Sequence, residues 1–346
     1  MAPTDHGTSP APPTGPFAAY VVERQGDGIS AGVRQLTMKD LPDQPVTVRV
    51  DWSSVNYKDG MVATPGNRVA RTSPLIPGVD LVGTVVDVAD PDADVAVGDE
   101  VVVHGYGLGI SQHGAFAQYA RVPGHWVVPL PPGLSPRRAA LIGTAGFTAA
   151  LSLARLERMG LAPGAGPVLV TGASGGVGSM SVALLAARGY DVVASTGKAA
   201  EHAYLAGLGA TEVIGRDDLD GASERVLAPE RWAGAIDCVG GTTLRAVLRS
   251  LRYGAAVAAS GLTGGSTLES TVYPFIVRGV SLLGIDSVET PIDERRHVWQ
   301  RLGSAFPSEA LDAAADGEIG LDGLDDALAT ISRGGVRGRI LVRPGA

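Results

Sequence analysis

Three places in the sequence combine residue types whose spacing could do chemistry: a glycine-rich turn at 172–178, the run Ser195-Thr196-Gly197-Lys198, and the run Asn56-Tyr57-Lys58-Asp59. In the first, the β-branched run Val168-Leu169-Val170-Thr171 leads directly into Gly172-Ala173-Ser174-Gly175-Gly176-Val177-Gly178, and a helix-forming run follows at once. Glycine permits a tight turn, a second glycine lets the backbone approach a pyrophosphate, and a third lets the helix pack on the strand. Phosphates then meet unpaired N–H groups at the helix N-terminus, where the helix dipole also favours them. The plainer alternative, a glycine loop that merely closes a βα unit, is disfavoured by the strand before it and the helix after it. A P-loop needs Gly-Lys-Ser/Thr here, whereas Gly178 is followed by Ser179-Met180, so phosphoryl transfer drops out.

The second run selects the nucleotide. A site for NAD places an acid roughly 20 residues after the first glycine, on the ribose 2′-hydroxyl. This strand ends in Ser195-Thr196-Gly197-Lys198 with no acid at its tip. Hydroxyl, glycine backbone and cation suit a dianionic 2′-phosphate that an acid would repel, so NADPH is preferred. Lys198 has a second reading, as a solvated residue opening a helix near Ala199 and paired with Glu201. Arg216, just after the run Glu212-Val213-Ile214-Gly215, is either a second arm of the phosphate clamp or a surface ion pair with Asp217 and Asp218.

These groups need elements to position them. From Phe17 to about Pro132 the pattern is short, alternating and rich in valine, with turn signals at 26–28, 65–66, 77–78, 98–99 and 123–124, which predicts a β-rich segment. Brief β-branched runs begin at 168, 191, 212, 235, 255 and 281 and alternate with Ala- and Leu-rich helical runs, which predicts an α/β, doubly wound parallel sheet. Further helices are expected around 292–303 and 323–332, and a last strand at 338–343 returns to the first domain. The expected division is a disordered tail at 1–16, a catalytic domain from 17–138 and 289–346, and a nucleotide domain at 139–288. The third run, Asn56 to Asp59, is placed at the end of a strand, Asp51–Tyr57.

Composition narrows the class. Apolar residues make up 45% against 18% charged, so the chain can bury a core. With 28 Lys+Arg against 36 Asp+Glu, the net charge of -8 gives no electrostatic footprint for nucleic acid. The single cysteine, Cys238, allows neither a disulfide framework nor a cysteine-rich zinc site, and it reads as a small buried thiol. The first 16 residues contain five prolines and no Lys or Arg, unlike a signal or transit peptide. Uncharged stretches at 139–154 and 168–187 are respectively too short and too glycine-rich to span a membrane. A cytoplasmic protein is expected. The six histidines show no ligand spacing, and His104 and His113 read as loop or substrate-cleft residues rather than metal ligands.

Several motifs in one order carry a resemblance. NYKDG at 56–60, PLIPGVDLVGTV at 74–85, VGDEV at 97–101, HGAFAQYA at 113–120, GTAGFTAAL at 143–151, TGASGGVGS at 171–179 and DCVGG at 237–241 resemble the zinc-free medium-chain dehydrogenase/reductases. Within them, STGK at 195–198, VIGRD at 213–217, SGLTGG at 260–265, TVYPFIVRGVSLLGIDSV at 271–288 and GRILV at 338–342 are most similar to the acrylyl-CoA reductase and quinone-oxidoreductase-like branch. The resemblance implies a GroES-like catalytic domain interrupted by a Rossmann NADPH-binding domain, with the substrate in the cleft between them. Zinc-dependent relatives have Gly-His-Glu where this chain has Gly78-Val79-Asp80, so no metal is expected.

Without a Lewis acid for alcohol oxidation, the resemblance favours reduction of an activated C=C bond, with hydride to the β-carbon and charge developing on the carbonyl oxygen. That oxygen needs donors. Asn56 and Tyr57 are the candidates, and the resemblance sets Tyr57 beside the cofactor as donor or nicotinamide-positioning residue; a tyrosine packed at a strand end is the alternative. Lys58 and Asp59 read as a local ion pair orienting the loop. The resemblance also assigns cofactor contacts to Ser174–Val177, Thr196, Gly197, Lys198, Arg216, Leu262, Ile276, Ser287 and Arg333. Where relatives carry arginine, Lys198 offers a point charge, which weakens the preference for NADPH. Arg68 and Arg71 are either CoA-phosphate contacts or solvated loop charges. The expected reaction is NADPH-dependent reduction of an enoyl thioester, acrylyl-CoA to propionyl-CoA. The alternatives are a quinone or small-enone reductase and a non-catalytic NADPH-binding sensor. The run at 281–286 resembles the edge strand through which relatives dimerise, so the resemblance implies a homodimer.

Overall fold

The computed structural model describes residues 11–91, 93–220, 225–306 and 308–346; most of the expected N-terminal tail, residues 1–10, lies outside them. The alternating N-terminal pattern forms strands β1 (Phe17–Gln25), β2 (Gly28–Leu36) and β3 (Val46–Ser54), a short helix α1 (Tyr57–Val62), and strands β4 (Asp80–Val88), β5 (Glu100–His104), β6 (Tyr119–Val122) and β7 (Val128–Pro129). A long helix, α2 (Pro136–Arg158), leads into the nucleotide part. Here β8 (Val168–Thr171), β9 (Val192–Thr196), β10 (Glu212–Gly215), β11 (Gly234–Asp237), β12 (Ala256–Ala259) and β13 (Ser281–Gly284) alternate with α3 (Gly176–Ala187), α4 (His202–Gly207), α5 (Asp217–Asp220), α6 (Gly241–Ser250) and α7 (Tyr273–Arg278). The C-terminal segment adds α8 (Ile292–Ala305), α9 (Ser308–Ala313), β14 (Ala315–Ile319), α10 (Leu324–Ser332) and β15 (Arg339–Val342).

All six runs expected as parallel strands form one parallel sheet in the order β10-β9-β8-β11-β12-β13. The order reverses between β8 and β11, the switch point where open α/β sheets bind ligands. The final strand also returns as expected: β15 pairs antiparallel with β3, and β14 extends the edge of the catalytic sheet. β14 has no counterpart in the sequence reading, because Ala315-Asp316-Gly317-Glu318-Ile319 lacks a run of β-branched residues.

α2 crosses the expected boundary at 139, starting at Pro136 behind the N-cap Ser135, whose side chain accepts from the Arg138 N–H. By length and composition α2 could cross a membrane, yet 83% of its apolar window is buried. It is the core helix of the fold. The largest core joins Ala140, Leu141, Phe147 and Leu151 of α2 to Val168 and Val170 of β8, to Val82 and Val102 of the catalytic sheet, and to Trp299 of α8. One apolar mass thus underlies both sheets, and burial of such side chains contributes roughly 1.5–3 kcal/mol each.

Candidate nucleotide and substrate site

At the switch point each glycine of the turn answers a distinct constraint. Gly172 sits at φ +59, in the left-handed region, directly after β8. At Gly178 a Cβ would lie 2.3 Å from the Gly172 carbonyl oxygen and 2.6 Å from the Ala173 Cα, so only glycine lets α3 pack this close. Gly175 is the N-cap of α3 and supplies no capping side chain, which leaves the first-turn N–H groups to an anion. Across the switch point, Thr171 Oγ1 donates to Asp237 at 2.6 Å and the Gly240 N–H donates to the same carboxyl at 2.8 Å, tying β8 to β11.

The ribose side is polar and uncluttered by acids. Ser174 and Thr196 are buried, with their hydroxyls 3.0 Å apart, and the Lys198 N–H donates to Thr196 Oγ1 at 3.1 Å. Arg216 lies over the next turn, where a Cβ on Gly197 would meet its guanidinium at 3.0 Å. The expected pairing of Arg216 with Asp217 or Asp218 does not form. Asp218 turns to the Gly215 N–H at 2.8 Å, and among the described residues Arg216 has no carboxylate partner. The expected Lys198–Glu201 pair is also absent. Lys198 Nζ donates to the Val336 carbonyl at 3.0 Å, and Glu201 pairs with Arg337 at 3.9 Å.

Asn56 and Tyr57 are not at a strand end. β3 stops at Ser54, and Asn56 is the N-cap of α1, with Tyr57 the first helical residue and 41% exposed. Asp59 drives this change. Its Oδ2 accepts from the Asn56 N–H at 2.8 Å, and its Oδ1 accepts from the Gly78 and Val79 N–H groups at 3.0 and 3.1 Å. Asp59 is therefore a backbone clasp and not the ion partner of Lys58. Burial pushes its carboxyl up to about 7, with the Asp80 charge adding to the rise and the three N–H donors opposing it. α1 also packs closely on α10, since a Cβ at Gly60 would stand 2.6 Å from Ser332 Oγ.

The Asn56 side chain is fully engaged. Nδ2 donates to Asp80 Oδ2 at 2.8 Å and to the Ser54 carbonyl at 3.2 Å, while Oδ1 accepts from Arg339 at 3.0 Å. With both amide hydrogens committed inside the protein, Asn56 positions the Tyr57 helix and is not the substrate donor expected of it. Its partners were not legible in the sequence. Asp80 accepts from Thr144 N–H and Oγ1 at 2.8 and 2.6 Å, from Ser54 Oγ at 2.7 Å and from Arg339 at 2.9 Å, besides Asn56. Burial alone would raise the Asp80 carboxyl, and the Arg339 guanidinium outweighs it, holding the group below its ordinary value. Arg339 reaches the nucleotide turn as well, since its Nη1 lies 3.4 Å from the position of a Cβ on Gly176. The one signal in the sequence was an arginine at an inward position of an apolar strand.

His104 is buried at the junction, not in a loop or cleft. Trp299 Nε1 donates to His104 Nε2 at 2.9 Å, and Arg295 stacks on Tyr106 and Phe147 while donating to the His104 and Val288 carbonyls. Burial, reinforced by Arg295, holds the imidazole well below its ordinary value. His113 accepts the Ile76 N–H at 3.2 Å, also a structural bond. Of the remaining expected contacts, Leu262 backs the Gly240 turn, its Cα 3.3 Å from where a Cβ of Gly240 would stand. Ser287 is half-buried, and its carbonyl accepts from Arg295 at 3.3 Å. Arg333 is exposed at the end of α10, beside the residues that touch Gly60. Ile276 is 71% exposed on α7. Burial pushes the Cys238 thiol up, so it carries no thiolate chemistry.

Comparison with known proteins is consistent across the chain. Residues 42–132 match the alcohol dehydrogenase GroES-like domain, and residues 176–304 match the family described as zinc-binding dehydrogenase. The acrylyl-CoA reductase AcuI of Ruegeria pomeroyi is 46% identical over 94% of this chain and 98% of its own length. YhfP of Bacillus subtilis, named as a candidate quinone oxidoreductase, is 48% identical over 94% of this chain and 98% of its own. The yhfP structure, solved with NAD bound, superposes with a TM-score of 0.92, covering 95% of this chain and 100% of that one at 47% identity. The yhdH oxidoreductase of Salmonella enterica in complex with NADP gives a TM-score of 0.90 at 45% identity, covering 94% and 99%.

Proposed function

The chain belongs to the medium-chain dehydrogenase/reductase family, in the branch of the acrylyl-CoA reductases and quinone-oxidoreductase-like proteins, and we propose that it is an NADPH-dependent enoyl-thioester reductase converting acrylyl-CoA to propionyl-CoA. The observation that carries the cofactor choice is the Arg216 guanidinium over Gly197, without a carboxylate partner among the described residues, beside Ser174, Thr196 and Lys198 and with no acid at the tip of β9. A 2′-phosphate suits that set of donors, and a planar guanidinium binds it bidentately. The AcuI relative, similar over the whole length, supports the thioester.

In this reading the first-turn N–H groups of α3 hold the pyrophosphate, and Ser174, Thr196, Lys198 and Arg216 hold the ribose phosphate. NADPH bound there supplies the hydride that reduces the β-carbon of the conjugated thioester. The charge that then collects on the thioester carbonyl oxygen is met by the Tyr57 hydroxyl, the exposed polar group of the α1 first turn. Asn56, Asp59 and Asp80 hold that turn rigidly, so the donor needs little reorganisation as charge develops. Solvent supplies the proton for the α-carbon. The reading is zinc-independent: Asp80, at the place of the zinc relatives' acid, already accepts five hydrogen bonds.

A second reading, quinone reduction, draws on YhfP. NADPH oxidation followed with acrylyl-CoA, crotonyl-CoA and a simple quinone separates the two. Turnover of acrylyl-CoA is expected; turnover of quinone with neither thioester promotes the second reading; and NADPH binding with no oxidation of any substrate leaves a sensor.

A further inference from the structure

Residues 334–339 run from the end of α10 into β15, and three of the bonds that hold them link the glycine-turn side to the Asn56 helix. The Val336 carbonyl accepts from Lys198 Nζ at 3.0 Å, the Gly338 N–H donates to the Ser174 carbonyl at 2.9 Å, and the Arg339 guanidinium binds Asn56 at 3.0 Å and Asp80 at 2.9 Å. The first two anchors are residues of the ribose-phosphate pocket, and the third lies under the Tyr57 helix. The segment is closely fitted between them: a Cβ on Gly338, itself at φ +56, would stand 2.6 Å from the Tyr204 hydroxyl. Lys198 is half-buried, and an ammonium has three N–H donors. The Val336 carbonyl takes one, which leaves two for an anion.

We infer that Lys198 is a positioning residue that couples a ribose phosphate to the Tyr57 helix. A phosphate held on the two remaining N–H groups fixes the ammonium against Val336, sparing that bond the rotamer freedom a lysine otherwise loses. The stiffened 336–339 segment passes the constraint through Arg339 to Asn56. Arg216, over Gly197, supplies phosphate affinity, while Lys198 makes the phosphate count in turnover as well. The inference rests on the NADPH reading above.

Hydrogen exchange in the full chain tests this without turnover, using adenosine 2′,5′-bisphosphate and 5′-AMP as probes on peptides covering 334–342 and 54–62. The bisphosphate is expected to slow exchange in both segments about fivefold or more, within the usual range of site-to-site coupling, and 5′-AMP is expected to leave them unchanged. Lys198→Met is expected to keep saturable bisphosphate binding through Arg216 but to lose the slowing in both peptides, and Lys198→Arg to restore it. In parallel, the kcat ratio of NADPH to NADH falls towards one in Lys198→Met and recovers in Lys198→Arg. Saturable binding with no slowing in the native chain, or equal slowing in Lys198→Met, overturns the coupling while leaving the NADPH reading intact. If calorimetry shows no saturable bisphosphate binding to the native chain, the NADPH reading fails, and the coupling with it.

Discussion

Arg339 and Asp80, 259 residues apart in the chain, face each other at 2.9 Å with their side chains 2% and 1% exposed. Removing one partner strands the other in the core. Arg339→Met is therefore expected to cost about 3–5 kcal/mol, whereas adding Asp80→Asn to it recovers part of the loss. Urea denaturation of the two single variants and the double variant measures the coupling, and strict additivity would show that the pair does not act as one unit.

Tyr57→Phe keeps the ring and removes the hydroxyl. If that hydroxyl meets the developing charge, kcat falls about 100-fold with little change in the KM for NADPH. Asn56→Ala should lower stability and kcat together, because the amide acts through the helix it holds. Full kcat in Tyr57→Phe would remove Tyr57 as a donor.

Arg216→Ala removes a charge-assisted contact of about 1.5–3 kcal/mol. The KM for NADPH is expected to rise about 10- to 100-fold, with the KM for NADH nearly unchanged. A parallel rise for both nucleotides would place Arg216 away from the 2′-phosphate.

His104 is held neutral when folded, and its pKa is well below the ordinary 6.5. The unfolded chain therefore binds the extra proton, and this contribution to stability is lost as pH falls below about 6.5. Compared with His104→Gln, the native chain should lose about 1.4 kcal/mol per pH unit on acidification through that window. Thermal unfolding of the pair between pH 5 and 7 reads the difference directly, and parallel curves would contradict a neutral buried imidazole.

Among the described residues the strand at 281–284 pairs only with β12, which leaves its outer edge open, with Leu282 38% exposed. Open edges recruit further strands, so pairing of two β13 strands in a homodimer is expected. The native chain is expected to sediment as a dimer and Leu282→Arg as a monomer. An unchanged dimer would place the interface elsewhere.

The sheet of the nucleotide part was legible because its strands are short apolar runs closed by glycine or a polar residue, a signal local to the chain. The glycine turn was legible for the same reason. Asn56 and Tyr57 were placed at the end of a strand that stops at Ser54, because what starts α1 is Asp59 reaching Gly78 and Val79, a contact made across the fold. Arg339 lay within the GRILV run at 338–342, which was read only as a strand and gave the arginine no role. Its role arises only when β15 lies against β3 and brings the guanidinium beneath Gly176, and no spacing within the strand encodes that meeting. Lys198 and Arg216 were singled out by their chemistry, but the bond Lys198 makes was not legible, since Val336 approaches from 138 residues away.

Within α2 the chain breaks at Gly143, where φ is 46 and ψ is -156. A Cβ there would lie 2.3 Å from Asp80 Oδ2 and 2.7 Å from the Arg339 guanidinium. Position 143 is thus closed to other residues twice over, by backbone sign and by space, and neither objection can be relieved without the other. In a saturation library of this chain, residue 143 should read as glycine alone. The exposed remainder of α2, with Arg155 and Arg158 on its surface, should accept broad substitution, so mutational tolerance along one helix would mark where the ion pair lies.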